Sequence, residues 1–280
     1  MSGSRIILLK DLSYGLWNAI VKLYSSDMLT HAYLFYDILY ELDRTNAVFE
    51  IVDGEIVSYV LIWRGLIGDA IHVWSKRECL DIERMIDVEL LDSLRKGTVI
   101  HLYISNPNCI DYLREYVSRS RWDIEELRFY DMVVDQDSFK PYYPERACRL
   151  KVEHVDDFIK LKEVQARELE YGFDKYSREL GVTLLNKYRY YGLYVDDELI
   201  AIACRYLGLR DIGVVGDVYV HPDHRGHGYG KIVTSAITRD TVYYGAYAML
   251  HVSINNIVAI RVYEKLGYRI VGSKTWFFLE

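Results

Sequence analysis

The sequence predicts an α/β (α+β) protein built from two tandem copies of one domain, and three observations lead to this prediction. The chain has 280 residues, which is enough for two domains of ordinary size. Segment 52–65, VDGEIVSYVLIWRG, is similar to segment 195–208, VDDELIAIACRYLG, at an offset of 143 residues. Strand-like and helix-like stretches follow one another in the same order in both halves. A long internal repeat with matching element order is typical of a duplicated domain.

The two halves are predicted to begin alike, each with a short strand followed by two helices. A hairpin comes next in both, because Asp53-Gly54 and Asp196-Asp197 are turn pairs between apolar runs. Each half then continues with a strand, a helix, a strand, a helix and a final β-rich segment. The predicted opening ranges are 6–10, 11–24 and 31–42 in the first half and 149–152, 155–169 and 175–187 in the second.

The boundary between the copies is predicted from segment 135–146, DQDSFKPYYPER. It contains Pro141 and Pro144 and few periodic apolar residues, as is typical of a linker. We therefore expect a first domain over 1–135, a linker over 136–146 and a second domain over 147–280.

Composition and charge exclude some classes of function. The net charge is −7 and the pI is near 5.7, which disfavours a nucleic-acid partner. The acidic character agrees with a cationic substrate such as an amine. No apolar run approaches the roughly 18 residues of a membrane span, and the N-terminus does not have the pattern of a signal peptide. The expectation is a cytoplasmic protein without a membrane partner.

The four cysteines are scattered through the chain and form no C-x-x-C pair. This spacing predicts neither a zinc site nor a disulfide framework. We expect Cys79, Cys109, Cys148 and Cys204 to act as small hydrophobic side chains in a reducing compartment.

The sequence VYVHPDHRGHGYGK, residues 218–231, indicates a ligand class. A β-branched and aromatic run leads into a glycine-rich loop, and a stretch with helical character follows. Glycines let a backbone approach a ligand closely, and the unpaired N–H groups of a helix start bind anions such as pyrophosphate. The alternative is a tight turn that needs glycine and binds nothing.

The first half differs at the corresponding place. There it has WSKRECLDIERM, residues 74–85, and no glycine occurs between Gly68 and Gly97. Without glycine the backbone does not form such a phosphate-binding loop. The first half is therefore predicted to be a copy that has lost its cofactor site.

A second pattern lies near the C-terminus. The strand-like run 248–254 breaks at Asn255-Asn256, and a helix follows that Gly267 is predicted to close. Asn256 and Tyr263 are seven residues apart, which places both on one helix face. Two simpler roles remain open, an N-cap for Asn256 and a half-buried packing residue for Tyr263.

Taken together, the two patterns resemble those of the GCN5-related N-acetyltransferase (GNAT) superfamily, which has tandem members in which one half is degenerate. The matching residues are Arg225, Gly228 and Gly230, followed by Asn256, Ala259, Tyr263, Gly267 and Tyr268. The resemblance implies, for each copy, a mixed and mostly antiparallel sheet flanked by helices, and in the second copy two strands that splay apart around acetyl-CoA. The cofactor-binding residues that it implies are Val218, Tyr219, Val220, Arg225, Gly226, His227, Gly228, Tyr229, Gly230, Lys231 and Asn256.

The superfamily's reaction is direct attack of an amine on the thioester, which needs a proton acceptor for the amine and a donor for the leaving thiolate. The resemblance places Tyr263 near the sulfur, where a phenol can donate to a thiolate. Asp217 is the candidate base, because it matches a carboxylate of diamine-acetyltransferase-like strands, although Gly216 replaces their glutamate. A water relay for the base and a structural role for Asp217 both remain open.

Acceptor recognition is predicted for the loop between the first two helices of the second half. Glu168, Glu170 and Tyr171 could bind a cation through charge and ring face, or they could simply form a solvated helix end. His221, His224 and His227 have a spacing that suggests a metal, but they lie within the cofactor loop and lack an evident further ligand. No metal is therefore expected.

The resulting prediction is an enzyme, an N-acetyltransferase that uses acetyl-CoA as co-substrate. Its acceptor would be a small amine or a protein amino group, and the protein a monomer or homodimer. The alternative is a non-catalytic CoA-binding module in which the first half is a partner surface.

Overall fold

The fold was analysed in a computed structural model that describes residues 4–169, 176–243 and 245–280. The chain forms two compact units, one of residues 1–129 with 273–280 and one of residues 130–272. The element order β-α-α-β-β-β-α-β-α-β occurs twice along the chain. The predicted α/β class and the predicted duplication are confirmed.

The first unit is a sheet with helices, in strand order β1-β2-β3-β4-β5-β12. Neighbouring strands are antiparallel except β4 and β5, which are parallel. The elements of the first repeat are β1 (Arg5–Leu8), α1 (Tyr14–Ser26), α2 (Met28–Tyr40), β2 (Thr45–Val52), β3 (Glu55–Arg64), β4 (Asp69–Ser75), α3 (Val88–Asp92), β5 (Val99–Tyr103), α4 (Pro107–Val117) and β6 (Ile124–Val134).

The second unit has the corresponding strand order β6-β11-β10-β9-β8-β7. Here β10 and β11 are the parallel pair. The elements of the second repeat are β7 (Cys148–Arg149), α5 (Val155–Glu168), α6 (Arg178–Lys187), β8 (Arg189–Val195), β9 (Glu198–Gly208), β10 (Ile212–Val220), α7 (Tyr229–Val242), β11 (Tyr247–Ser253), α8 (Ile257–Lys265) and β12 (Arg269–Leu279).

Both predicted hairpins form at the predicted turn pairs. Asp53 and Gly54 have φ of 52° and 80°, and Asp196 and Asp197 have φ of 49° and 62°. Two successive left-handed residues match the twist of the flanking strands, which is why such pairs connect hairpins. The opening helices start within about three residues of their predicted positions.

The unit boundaries differ from the predicted positions 135 and 147. Strands β6 and β12 each begin in one unit and end in the other, so the last residues of the chain pair with β5. Phe277 and Leu279 are fully buried in the core of the first unit. The composition of a segment does not reveal whether a strand continues into the other unit. That continuation depends on pairing with a strand that is far away in sequence.

Segment 136–146 is packed into the second unit rather than extended as a spacer. The N–H of Lys140 donates to the Leu266 carbonyl at 2.9 Å, and the N–H of Tyr142 donates to Ser235 Oγ at 2.8 Å. A Cβ at Gly267 would lie 2.0 Å from the Ser138 carbonyl oxygen, so the predicted helix-closing glycine also permits this close approach.

The cysteine prediction was wrong for two of the four residues. Cys79, in the loop after β4, and Cys109, in the first turn of α4, form a disulfide with a Cα–Cα distance of 5.3 Å. Cys148 is exposed and Cys204 is buried, and both are free thiols. The fold joins two segments that are 30 residues apart, and sequence spacing alone did not indicate the pairing. Disulfides are rare in reducing compartments, so this bond removes support for the expected compartment.

Within the described residues, no helix is both long and apolar enough to cross a membrane.

Candidate active site

The candidate site begins where the parallel strands β10 and β11 separate. Their register runs from Ile212↔Tyr247 to Val215↔Leu250, and the remaining residues of the two strands do not pair with each other. On its other side β10 has an irregularity between Gly216 and Tyr219 relative to β9. A bulge of this kind bends a strand, and the end of β10 beyond Val215 does not pair with β11. We call this opening the fork.

Asp217 lies in this bulge with φ of 48°, an unusual conformation for a residue other than glycine. Its carboxylate accepts two hydrogen bonds from Lys162 Nζ, at 2.8 and 3.0 Å, and one from Gln165 Nε2 at 2.8 Å. The Tyr190 hydroxyl donates a fourth at 2.8 Å, and burial raises the pKa of that phenol. These bonds hold the strained turn in place.

The same contacts bear on the predicted role of Asp217 as general base. The side chain of Lys162 is only 4% exposed, so removing its partner's charge would leave a buried ammonium unpaired. A proton taken up by Asp217 would weaken this ion pair. The role stays a prediction, and the geometry favours the structural alternative.

Gly216 replaces the glutamate of diamine-acetyltransferase-like strands, and the packing accounts for this difference. A Cβ at Gly216 would lie 2.7 Å from the ring of Tyr206. The ring of Tyr206, on β9, therefore occupies the space that the Cβ atom of a glutamate would need.

The glycine-rich loop connects the end of β10 to the start of α7. Gly226 and Gly228 have φ of 84° and 78°, in the left-handed region, and Gly228 is the N-cap of α7. A Cβ at Gly230 would lie 3.3 Å from the side chain of Val220, so the first turn of α7 packs closely on the end of β10. The first N–H groups of an α-helix have no partner within the helix, and here they lie beside the fork.

Arg225 links this loop to the end of α5. Its Nε donates to the Val220 carbonyl at 3.1 Å and its Nη2 to Glu168 at 2.6 Å. The Tyr219 hydroxyl donates to the same Glu168 oxygen at 2.6 Å. The guanidinium is the main cause of a lowered pKa for Glu168. The structure thus brings Glu168, which was predicted to bind the acceptor, together with Tyr219 and Arg225, which were predicted to bind the cofactor. Glu170 and Tyr171 lie outside the described residues.

The other side of the loop is formed by Tyr142, which lies in the segment predicted to be a linker. Lys231 Nζ lies 3.8 Å from the centroid of the Tyr142 ring, a cation–π contact. Burial and the nearby Lys265 lower the pKa of Lys231. The sequence analysis missed Tyr142, although aromatic residues between two prolines were a visible signal.

The remaining loop side chains form local contacts. His227 Nδ1 lies 2.9 Å from the Arg225 carbonyl, and the ring stacks on Tyr229 at 5.5 Å between centroids. His221 and His224 face each other edge to face at 5.7 Å. Among the residues that the structure describes, no three histidine, cysteine, aspartate or glutamate side chains converge as a metal site would require.

Helix α8 positions the second pattern. Asn256 caps it, since its side chain accepts a hydrogen bond from the Ala259 N–H at 3.1 Å. Tyr263 lies two turns later in the core that also contains Val218 and Val220. Burial raises the pKa of the Tyr263 phenol to about 12. The hydroxyl therefore stays protonated at neutral pH and can act as a proton donor.

A further pair of side chains lies just beyond the last residue at which β11 pairs with β10. His251 Nδ1 is 2.6 Å from Asp131 Oδ1, and both side chains are almost fully buried. The sequence analysis did not single out either residue. A lone histidine in a strand is an ordinary core residue, and its carboxylate partner is 120 positions away.

Comparison with known proteins gives one family match and several structures with a similar fold. Residues 190–277 match the family model described as FR47-like protein. A Drosophila protein of known structure superimposes with a TM-score of 0.68 at 16% identity, covering 99% of both chains. No curated protein matches the chain.

Two further structures have the same tandem arrangement or superfamily name. A tandem GNAT protein from the clavulanic acid biosynthesis pathway matches with a TM-score of 0.56 at 14% identity, over 99% of this chain and 98% of its own. A GNAT-family acetyltransferase from Colwellia psychrerythraea matches with a TM-score of 0.52 at 12% identity, over 98% and 99%.

The resemblance seen in the sequence motifs is therefore confirmed. The chain has the fold of these tandem GNAT structures, and residues 190–277 also match the FR47-like family model.

Proposed function

We propose that this protein is an acetyl-CoA-dependent N-acetyltransferase whose single active site lies at the fork of the second unit. The observation that carries the proposal is the coincidence of the fork with the glycine loop. The strands separate after Val215 and Leu250, and the left-handed Gly226 and Gly228 lie at the open end of β10. The start of α7, where an anion can bind, and the end of β10, which does not pair with β11, thus flank one opening.

Acetyl-CoA supplies the activated acetyl group. Its pyrophosphate would be held by the backbone of the glycine loop and its pantetheine arm by the strand residues Val218 and Val220. Arg225 and Lys231 would add positive charge around the phosphates. Asn256 would contact the pantetheine arm through the part of its amide that does not cap α8.

Tyr263 would protonate the departing thiolate. Its phenol is protonated at neutral pH, and it belongs to the core that contains Val218 and Val220. The acceptor would be a small amine or a protein amino group. The acidic character of the chain, with a net charge of −7, is consistent with an acceptor that arrives as a cation.

A non-catalytic CoA-binding module is the second candidate, and one observation favours it. The only carboxylate predicted as a base, Asp217, is held by Lys162. As such a module, the protein would bind acetyl-CoA and acetylate no amine.

The test combines binding with turnover. Calorimetry with acetyl-CoA should give one site per chain, and release of free thiol should be measured over a panel of polyamines, aryl-alkylamines, amino sugars and peptides with free amino groups. Amine-dependent thiol release together with the N-acetyl product supports the enzyme. Binding without turnover across the panel supports the module, and absence of binding overturns both.

A further inference from the structure

The segment between the two repeats, residues 136–146, lies beside the glycine loop of the second unit. The backbone N–H of Tyr142 donates to Ser235 Oγ on α7 at 2.8 Å, and the N–H of Lys140 donates to the Leu266 carbonyl at the end of α8 at 2.9 Å. Both bonds start from the main chain, so they hold position 142 whatever its side chain is. The path of the segment is therefore fixed next to α7.

The side chain of Tyr142 lies next to Gly228, the N-cap of α7. A Cβ at Gly228 would lie 3.8 Å from the Tyr142 hydroxyl oxygen and 4.0 Å from Cε1 of its ring. Tyr142 is half-buried, and among the residues that the structure describes no group accepts a hydrogen bond from its hydroxyl. A phenol O–H is a hydrogen-bond donor, so it can bind an anion that approaches the first N–H groups of the helix.

Lys231 adds a positive charge at the same place. Its Nζ lies 3.8 Å from the centroid of the Tyr142 ring, and it is the third residue of α7. A cation near a helix N-terminus opposes the helix dipole. Burial and the neighbouring Lys265 lower the pKa of this amine. The dipole and Lys265 both repel the ammonium, and a bound anion would offset both repulsions.

We propose that Tyr142 is a cofactor-binding residue, whose hydroxyl donates a hydrogen bond to the pyrophosphate of acetyl-CoA while its ring holds Lys231 beside the same group. The proposal rests on the function proposed above, because it needs the pyrophosphate at the start of α7. It gives the segment between the repeats a part in ligand binding. The edge of one aromatic ring then supplies a donor, and its face orients a cation.

Acetyl-CoA carries phosphoryl oxygens at two places, its pyrophosphate and its ribose 3′-phosphate. The position of the Tyr142 hydroxyl beside the N-cap of α7 favours the pyrophosphate, because the main-chain donors of the helix start lie there. The hydroxyl and the ammonium also differ in their response to salt, since screening chiefly weakens attraction between charges. These two differences shape the test.

The main test is Tyr142→Phe, which removes the hydroxyl and keeps the ring that contacts Lys231. We expect the calorimetric Kd for acetyl-CoA to rise about tenfold or more, as loss of a hydrogen bond to a charged group usually causes. Acetyl-3′-dephospho-CoA should show the same fold-change, because it retains the pyrophosphate. Tyr143→Phe is the matched control and should keep the parent Kd. The Tyr143 side chain is exposed, and its ring lies 4.8 Å from that of Tyr142.

Two further variants test the part assigned to Lys231. Lys231→Met keeps an apolar stem and removes the charge, so the Kd should rise and its dependence on salt should become shallower than in the parent. Tyr142→Phe should keep the salt dependence of the parent, because it removes no charge. Tyr142→Leu also removes the ring face and should weaken binding more than Tyr142→Phe does.

An equal fold-loss in Tyr142→Phe with acetyl-CoA and its 3′-dephospho analogue, together with parent affinity in Tyr143→Phe, supports the proposal. A loss that disappears with the analogue overturns the pyrophosphate assignment in favour of the 3′-phosphate. Equal Kd values in Tyr142→Leu and Tyr142→Phe, or an unaltered salt dependence in Lys231→Met, overturn the part assigned to the ring and Lys231.

Two other outcomes separate this proposal from the proposed function. An unchanged Kd in Tyr142→Phe, or an equal loss in Tyr143→Phe, overturns the role of the Tyr142 hydroxyl while the proposed function stands. A parent protein that binds no acetyl-CoA overturns both.

Discussion

The two parallel strand pairs of this protein have the same place in the two repeats but differ where they end. In the first unit β4 and β5 stay paired through Trp74↔Tyr103, the last residue of β5. In the second unit the pairing of β10 and β11 stops at Val215↔Leu250, with five residues of β10 remaining. Strand β4 pairs with β3 without a register shift, whereas β10 has the bulge at Asp217. The open strand pair therefore goes together with register shifts in β10, between Val214 and Val215 and between Gly216 and Tyr219, that β4 does not have.

The helices that follow show the same difference. Asn106 caps α4 as Asn256 caps α8. Seven residues after the cap, the first unit has Leu113 where the second has Tyr263. Leu113 is buried in an apolar core, so this copy has kept the helix and its packing but has no proton donor at that position. If the proposed function is correct, the first copy would serve as a scaffold, and four experiments test this difference between the copies.

The largest effect is expected from Gly228→Val. Gly228 has φ of 78°, which a β-branched residue avoids, and a side chain there would block the approach of a phosphate to the loop. Calorimetry should change from one acetyl-CoA site per chain to none. Gly245→Val is the matched control, since Gly245 has φ of 85° but lies at the far end of α7. Two sites in the parent would show that the first unit also binds the cofactor, and unchanged binding in Gly228→Val would show that the loop does not hold the pyrophosphate.

The disulfide tests the scaffold role of the first unit. Cys109→Ser removes a cross-link between positions 79 and 109, which we expect to cost about 2–4 kcal/mol of unfolding free energy. Urea unfolding should show the loss, and calorimetry should show an unchanged Kd for acetyl-CoA. Cys148→Ser, at an exposed free thiol in the second unit, should change neither quantity. A cofactor affinity that falls along with stability would contradict the separation of roles.

Tyr263→Phe tests the difference between Tyr263 and Leu113. The ring keeps its packing, and the thiolate loses its proton donor, so kcat should fall about 10²-fold with little change in acetyl-CoA affinity. Tyr268→Phe is the control, because its ring lies 5.9 Å from that of Tyr263 and its hydroxyl contacts Thr238 at 2.7 Å. It should lower stability and leave kcat nearly unchanged. An unaltered kcat in Tyr263→Phe, with chemistry rate-limiting, would leave Tyr263 as a packing residue like Leu113.

The smallest effect is expected from pH acting on Tyr263. Burial raises the pKa of this phenol to about 12, so the protonated form persists well above neutral pH. Between pH 7 and about pH 10, the parent and Tyr263→Phe should have kcat profiles of the same shape. A fall in kcat in that range that occurs in the parent and not in Tyr263→Phe would mean that the Tyr263 hydroxyl loses its proton at a lower pH than expected.

The repeat, both hairpins, the glycine loop and the capped helix of Tyr263 could be predicted from the amino-acid sequence. These features depend on local chemistry. Left-handed turns need glycine or aspartate, a helix start needs a capping side chain such as that of Asn256, and helical spacing places Tyr263 two turns after it. Residues that are near in sequence carry all of this information.

The point at which β10 and β11 separate, the surroundings of Asp217 and the contacts between distant segments all depend on the three-dimensional fold. Lys162 reaches Asp217 across 55 positions, Asp131 reaches His251 across 120, and Cys79 reaches Cys109 across 30. The exchange of the ends of β6 and β12 between the units is of the same kind. A charge is stabilised, an imidazole ring oriented or a disulfide formed by neighbours in space, and the spacing of one sequence does not specify those neighbours.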